Sequence, residues 1–177
     1  MTMNSRSDAA PELAMRSQGL QINTIDELAR VAKMMADSGF FADAREAAQA
    51  GVKILAGQAW GIDPFSAMTG IHIIQGRPSV GAGLMAAKVK SSGRYDFRVR
   101  EMTDTVCSIE FFEHGESIGT STFTIEDAKK AGTKNVDKFP RNMLYARAMS
   151  NGVRWFCPDV FTCPTYTPEE LGAQVDG

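Results

Sequence analysis

The longest sustained pattern in the chain follows Pro140. Stepping about 100° per residue, Tyr145, Met149, Val153 and Phe156 fall on one side with Gly152 beside them, while Met143, Arg147, Asn151 and Arg154 fall on the other. Proline suits a first helical position, because the N–H it lacks has no partner there. The run to Trp155 therefore predicts a helix of about four turns, with one face for a core and one for an anion. Upstream the period changes to two. Tyr95, Phe97 and Val99 alternate with Asp96, Arg98 and Arg100, as in a strand with an apolar face backed by a largely basic one. A second strand is expected over 104–113, with Thr105, Cys107, Ile109 and Phe111 together, and His114-Gly115 turns into a third over 118–123. The β-branched run 71–75 and the return 78–80, around Gly76-Arg77, read as a hairpin.

Start and stop signals place the remaining helices. Thr24 with Glu27 is a capping box opening a helix to about Ser38, and Gly39 stops it. Asp43 with Glu46 repeats the signal for a helix through Val52, Ile54, Leu55 and Ala59 to near Gly61. Asp63-Pro64 starts a third, closed by Gly70. A helix over 84–91 carries Lys88 and Lys90, and Thr124 caps another over 125–131 with Asp127 in the usual glutamate position. Residues 1–22 read as a disordered polar arm, 23–172 as one domain, and 173–177 as a short tail after a last helix start at Thr167-Pro168.

Composition narrows the class. A chain of 177 residues, 44% hydrophobic and 23% charged, buries a real core. No run approaches the roughly 18 apolar residues of a membrane span, and no basic-then-apolar leader opens the chain, so a cytoplasmic protein without a membrane partner is expected. Cys107, Cys157 and Cys163 lack metal-type spacing and are expected to stay reduced.

Charge changes the picture more. Net charge is −2, but it averages over bands of opposite sign. Residues 77–100 carry Arg77, Lys88, Lys90, Arg94, Arg98 and Arg100 against Asp96 alone. Residues 101–127 carry seven carboxylates and no Lys or Arg. Residues 128–154 carry Lys129, Lys130, Lys134, Lys138, Arg141, Arg147 and Arg154 against Asp137 alone. If the fold joins the two basic blocks, they form a positive groove suited to phosphates. The acidic band is then outer surface or a patch for a neighbouring subunit.

Catalytic chemistry finds little support. Gly76-Arg-Pro-Ser and Gly81-Ala-Gly83 lack the spacing of a phosphate-binding loop with its lysine. Ser66, Ser79 and Ser108 sit in no nucleophile-elbow context. Glu126-Asp127 and Glu169-Glu170 fit helix first turns, where carboxylates offset the dipole. No catalytic residue, metal site or cofactor is expected, and binding is the expected activity. Phe139 and Trp155, beside basic residues, are candidates to stack on bases.

Four segments in this order resemble the RecT family of phage and prophage single-strand annealing proteins, with the Redβ group as relatives. They are the run 61–78 (GIDPFSAMTGIHIIQGRP), the threonine-rich strand after Glu101, the segment 124–132 (TIEDAKKAG), and the segment 138–148 (KFPRNMLYARA). The resemblance spans roughly residues 25–172. It implies an α+β fold, a small antiparallel sheet with a hairpin framed by helices around a basic groove. It implies ATP-independent binding and annealing of single-stranded DNA in recombination, by a homo-oligomeric ring or filament. The family's basic positions match Lys138, Arg141, Arg147 and Arg154; charge and placement add Arg77, Lys88, Lys90, Arg98, Arg100, Lys134 and Asn151. Longer members carry a further C-terminal region tied to an exonuclease and host single-strand binding protein, and this chain has only a short acidic tail in its place. Two alternatives stay open: an interaction module without DNA activity, and a metal-dependent nuclease.

Overall fold

Short side chains that accept first-turn N–H groups set three of the six helix starts described here. In a computed structural model, which describes residues 20–74, 76–162 and 165–172, α1 (Ile25–Asp37) begins at Thr24, whose hydroxyl accepts from the Glu27 amide at 3.1 Å while Glu27 accepts from the Thr24 amide. Helix α3 (Pro64–Gly70) begins at Asp63 and α5 (Ile125–Lys130) at Thr124, each through its expected cap. Between them, α2 (Ala47–Ala59) is opened by Glu46 with Gln49, not by Asp43. The Asp43 carboxylate is committed elsewhere, to the Lys53 ammonium and the His72 ring, each at 2.9 Å. Helix α4 (Ala82–Ser91) starts two residues earlier than the sequence suggests.

Strands β1 (Ile71–Ile74) and β2 (Arg77–Val80) form the expected hairpin, with Arg77 in the second strand rather than the turn. Strands β3 (Tyr95–Met102), β4 (Val106–Glu113) and β5 (Glu116–Thr124) form an antiparallel sheet in that order. Cys107, Ile109 and Phe111 are fully buried on one face, and Ser108, Glu110 and Phe112 take the other, as the two-residue period requires. The α+β class with a hairpin and a three-stranded sheet is thus the observed one. Among the described residues no helix is long and apolar enough to cross a membrane. Cys107 and Cys157 are buried free thiols; burial pushes the first up to about 11 and the second up to about 12. Cys163, Gln75 and the expected arm and tail at 1–19 and 173–177 lie outside the described residues.

The longest helix, α6 (Pro140–Phe156), lies over the buried face of the sheet. Two glycines allow the approach. A Cβ on Gly152 would stand 2.0 Å from the Phe111 ring, and one on Gly119 would stand 2.2 Å from the Phe156 ring. The two-sided reading of α6 needs correction, because Met143, on the supposed anion side, is buried along with Leu144, Ala146, Ala148, Met149, Ser150 and Val153. The cover on that side is the C-terminal segment. Tyr166 bridges to Ser79, its carbonyl accepting from the Val80 amide at 2.8 Å, and Thr165 and Thr167 are buried. The expected helix after Thr167 is only a run of turns over 168–172. A second, smaller core joins α1 and α2 to Met68 and includes Ile22. The carbonyl of Ile22 accepts from the Gln58 side-chain amide at 2.8 Å, so Ile22 packs with this core.

Gly152→Ala separates two opposing effects. Alanine gains about 1 kcal/mol of helix propensity, whereas forcing a methyl into a filled core costs about 1–3 kcal/mol or more. At 2.0 Å from a ring that is itself fully buried, the steric cost wins. The urea midpoint is expected to fall; an unchanged or higher midpoint would mean that α6 is not seated on Phe111.

Candidate nucleic-acid interface

The arginines of α6 already hold an anion, and it is the chain's own. The Thr167-to-Glu170 turn closes on itself, the Glu170 carboxylate accepting from the Thr167 amide at 2.9 Å, which aims it at α6. Arg154 donates to both Glu170 oxygens at 2.8 and 2.9 Å, to the Thr165 carbonyl, to Ser150 and to Asn151. Arg147 reaches the same carboxylate at 3.1 Å. The two guanidiniums lie over the Phe123 and Tyr166 rings, at 5.0 and 5.1 Å. Glu170 is 4% exposed. Burial pushes its carboxyl up, but hydrogen bonds and charge from Arg154, with the Thr167 amide and Ser150 hydroxyl, hold it below the usual carboxylate range. Arg147, Asn151 and Arg154, expected to meet DNA, are therefore engaged inside the fold.

Three of the seven carboxylates of the acidic band also pair with arginines, nearer the surface. Asp104 pairs with Arg141 at 2.7 Å, Glu110 with Arg100 at 2.5 Å, and Glu113 with Arg94 at 2.5 Å. Lys90 pairs with Asp96. Of the candidate residues, Arg77, Lys88, Arg98, Lys134 and Lys138 have no carboxylate partner among the described residues. These contacts also fix where the blocks sit. The start of α6 is tied by Arg141 to the β3–β4 turn, while Asp159, just past its end, accepts from the Tyr95 hydroxyl at 2.6 Å where β3 begins. Lys90 and Arg94 thus stand at one end of β3 and Lys138 and Arg141 at the other, separated by the length of α6, about 25 Å. The two blocks do not join in one groove: at the first end Asp96, Glu113 and Asp159 match Lys90 and Arg94, and at the second Lys138 keeps no carboxylate partner among the described residues. Arg98 and Arg100 lie between them on the outer sheet face, over the Phe112 ring at 5.5 and 5.9 Å.

The end nearer Lys138 is the more open. No side chain caps α6, and Pro140 supplies no N–H, so the positive end of its dipole faces solvent. Phe139, Pro140, Arg141, Asn142 and Asp104 line a shallow cavity of about 200 Å³. Phe139 is exposed, with the Lys138 ammonium 5.1 Å from its ring centre. Lys134 donates to the Gly172 carbonyl at 3.3 Å. Trp155 is also exposed, at the opposite end of α6. The roles of two residues escape the sequence reading, which makes Glu170 a first-turn carboxylate and not a partner of arginines. Phe112 had a signal, since adjacent phenylalanines in a strand cannot both face the core. Glu170 had one too, in its three-residue spacing from Thr167, but nothing in that spacing names Arg147 or Arg154 as its partners.

No known family model matches the chain, and no curated protein matches it either. Among the described residues no group of three or more His, Cys, Asp or Glu side chains is arranged to hold a metal ion.

Removing one side of a buried ion pair costs about 3–5 kcal/mol. Glu170→Gln is therefore expected to lower stability by about that much at pH 7, read from urea unfolding. Because the folded carboxyl sits below its ordinary 4.5, its stabilisation is complete above that pH and is lost as pH falls through the folded value. The parent should lose stability below about pH 4.5 and the variant should lack that part of the acid slope. Equal acid slopes would show that Glu170 is not held by the arginines.

Proposed function

We propose that this protein binds single-stranded DNA and anneals complementary strands without nucleotide hydrolysis, as the resemblance to RecT proteins implies. The observation that carries the reading is the open start of α6. There an uncapped helix end, Lys138, Arg141 and the exposed Phe139 ring stand around one shallow cavity, with Lys138 free of any carboxylate partner among the described residues.

A backbone phosphate suits the helix end, where N–H groups and dipole both favour an anion. Lys138 supplies a point charge, and Arg141 a planar fork once it exchanges Asp104 for phosphate. Both partners of that pair are well exposed, so the exchange costs little. Phe139 offers a face to an unstacked base whatever its identity. Lys134, Arg98, Arg77 and Lys88, also without carboxylate partners among the described residues, are the candidates for further phosphates. Such contacts fix the strand without reading its sequence, which leaves base edges open to a complementary strand. The chemistry is non-covalent: pairing energy drives the reaction, and the protein lowers the repulsion between two phosphate backbones. Assembly of many copies along the strand, and contact with an exonuclease or a host single-strand binding protein, belong to the same reading.

Lys134→Ala with Lys138→Ala tests the site. Each lost phosphate contact on a single strand lowers the slope of log K against log salt by about 0.7, so the pair should flatten it by about 1.4 and weaken oligonucleotide binding. Both side chains are exposed, so the unfolding midpoint should not move. Phe139→Ala should cost about 1–3 kcal/mol of binding. The activity is checked with fluorescent complementary oligonucleotides and no nucleotide. Equal annealing rates with and without protein would remove the reading, and no binding at low salt would assign the start of α6 to a protein partner.

A further inference from the structure

Glu170 has more donors than it can serve. Its carboxylate receives two N–H groups of Arg154, the Ser150 hydroxyl and the Thr167 amide, which fill the roughly four lone-pair sites that two oxygens offer. Arg147 comes fifth. A terminal nitrogen of its guanidinium stands 3.1 Å from the carboxylate, but its Nε is buried without a partner. Four buried side-chain polar atoms lack a partner among the described residues, and three of them concentrate here. Arg147 Nε, Thr167 Oγ1 and Glu169 Oε2 all belong to the segment 165–172 or to the arginine it covers. Each carries a desolvation cost that no bond offsets. Apolar burial adds little to the hold, since the segment fully buries Thr165, Thr167 and Pro168 but no large apolar side chain. Beyond Glu170 it leans on the Val80 amide at 2.8 Å, on Arg154 again at 3.1 Å, and on the exposed Lys134 ammonium at 3.3 Å.

What the segment covers suits a phosphate. Carboxylate and phosphate present matching oxygens to a guanidinium fork, and Arg147 and Arg154 stand seven residues apart, about two turns along one side of α6. Neither is sealed, for their side chains are 20% and 24% exposed. An incoming anion therefore reaches both before Glu170 leaves. Arg147 lies about 10 Å along the axis from Pro140, where the proposed function seats a strand. A strand held there brings its next phosphates to the arginines at high local concentration, which is what displacing a tethered carboxylate requires. Successive phosphates offer more oxygens than one carboxylate, so Arg147 Nε gains an acceptor. Glu169 and Glu170 return to water.

We propose that the segment 165–172 is an autoinhibitory strap. Glu170 holds the place of a DNA phosphate on Arg147 and Arg154, and a strand seated at the start of α6 displaces it. The inference rests on the proposed function and adds to it a second phosphate site, closed until the first is filled.

Hydrogen exchange of the parent chain, with and without a single-stranded oligonucleotide, reads the strap directly. Peptides over 138–142 should gain protection while peptides over 166–172, and the Val80 amide, exchange faster. A ligand that merely stabilises the fold would slow exchange at both places. Glu170→Gln should bind the oligonucleotide more tightly than the parent at equal salt, although it is the less stable protein. Arg147→Gln should flatten the slope of log K against log salt by about 0.7, which an arginine with a purely structural role would leave unmoved. A parent that binds while 166–172 stays protected overturns the strap and leaves the DNA reading standing. So does an Arg147→Gln slope equal to the parent's, and so does a folded Glu170→Gln that binds no tighter. Should that variant not fold, the exchange result on the parent decides. A parent that binds no oligonucleotide at low salt, with Lys134→Ala and Lys138→Ala equally silent, removes the DNA reading and the strap with it.

Discussion

Glu170 is a single carboxylate shared by two arginines, and much of the molecule depends on where it sits. It ties the segment 165–172 to α6 through Arg154 and Arg147. That segment in turn pairs with β2 through Tyr166, so the hairpin, the helix and the chain's last described residues form one body. A charge this deeply buried is tolerable only with several partners. Glu170 has four: the guanidiniums of Arg154 and Arg147, the Ser150 hydroxyl and the amide that closes its own turn, with Arg154 on both oxygens.

The other constraint on α6 is distance. Gly152 and Gly119 bring helix and sheet so close that Phe111 and Phe156 fill the space a side chain would need. Held on both sides, α6 has few positions left to offer a ligand. What it offers lies at its ends, where Lys138, Phe139 and Arg141 stand at one and Trp155 at the other. A helix locked along its length leaves its exposed, uncapped start as the part most open to a ligand.

The burial of Lys53 in α2 follows from a similar competition. Lys53 is tolerated inside because Asp43 and the Met68 carbonyl satisfy all three N–H groups of its ammonium. The same Asp43 is thereby lost as a helix cap, which is why Glu46 takes over. One ion pair accounts for both departures from the pattern in the first sixty residues.

Much of the fold is local and was legible. Capping residues Thr24, Asp63 and Thr124 act on amides two or three residues away, so their effect is written in the chain. Strand alternation around Phe97, Ile109 and Phe111 fixed which face is buried, because a two-residue period admits only two answers. The sequence by itself therefore determined the elements, their order, the α+β class and which residues are basic. It could not determine what each basic residue faces. Arg147 and Glu170, or Arg141 and Asp104, lie tens of residues apart in the chain, and no period relates them. Only the tertiary structure decided that the acidic band neutralises arginines of both basic blocks, and that the helix face read as open is closed by Glu170. Coulomb attraction acts through space and not along the chain.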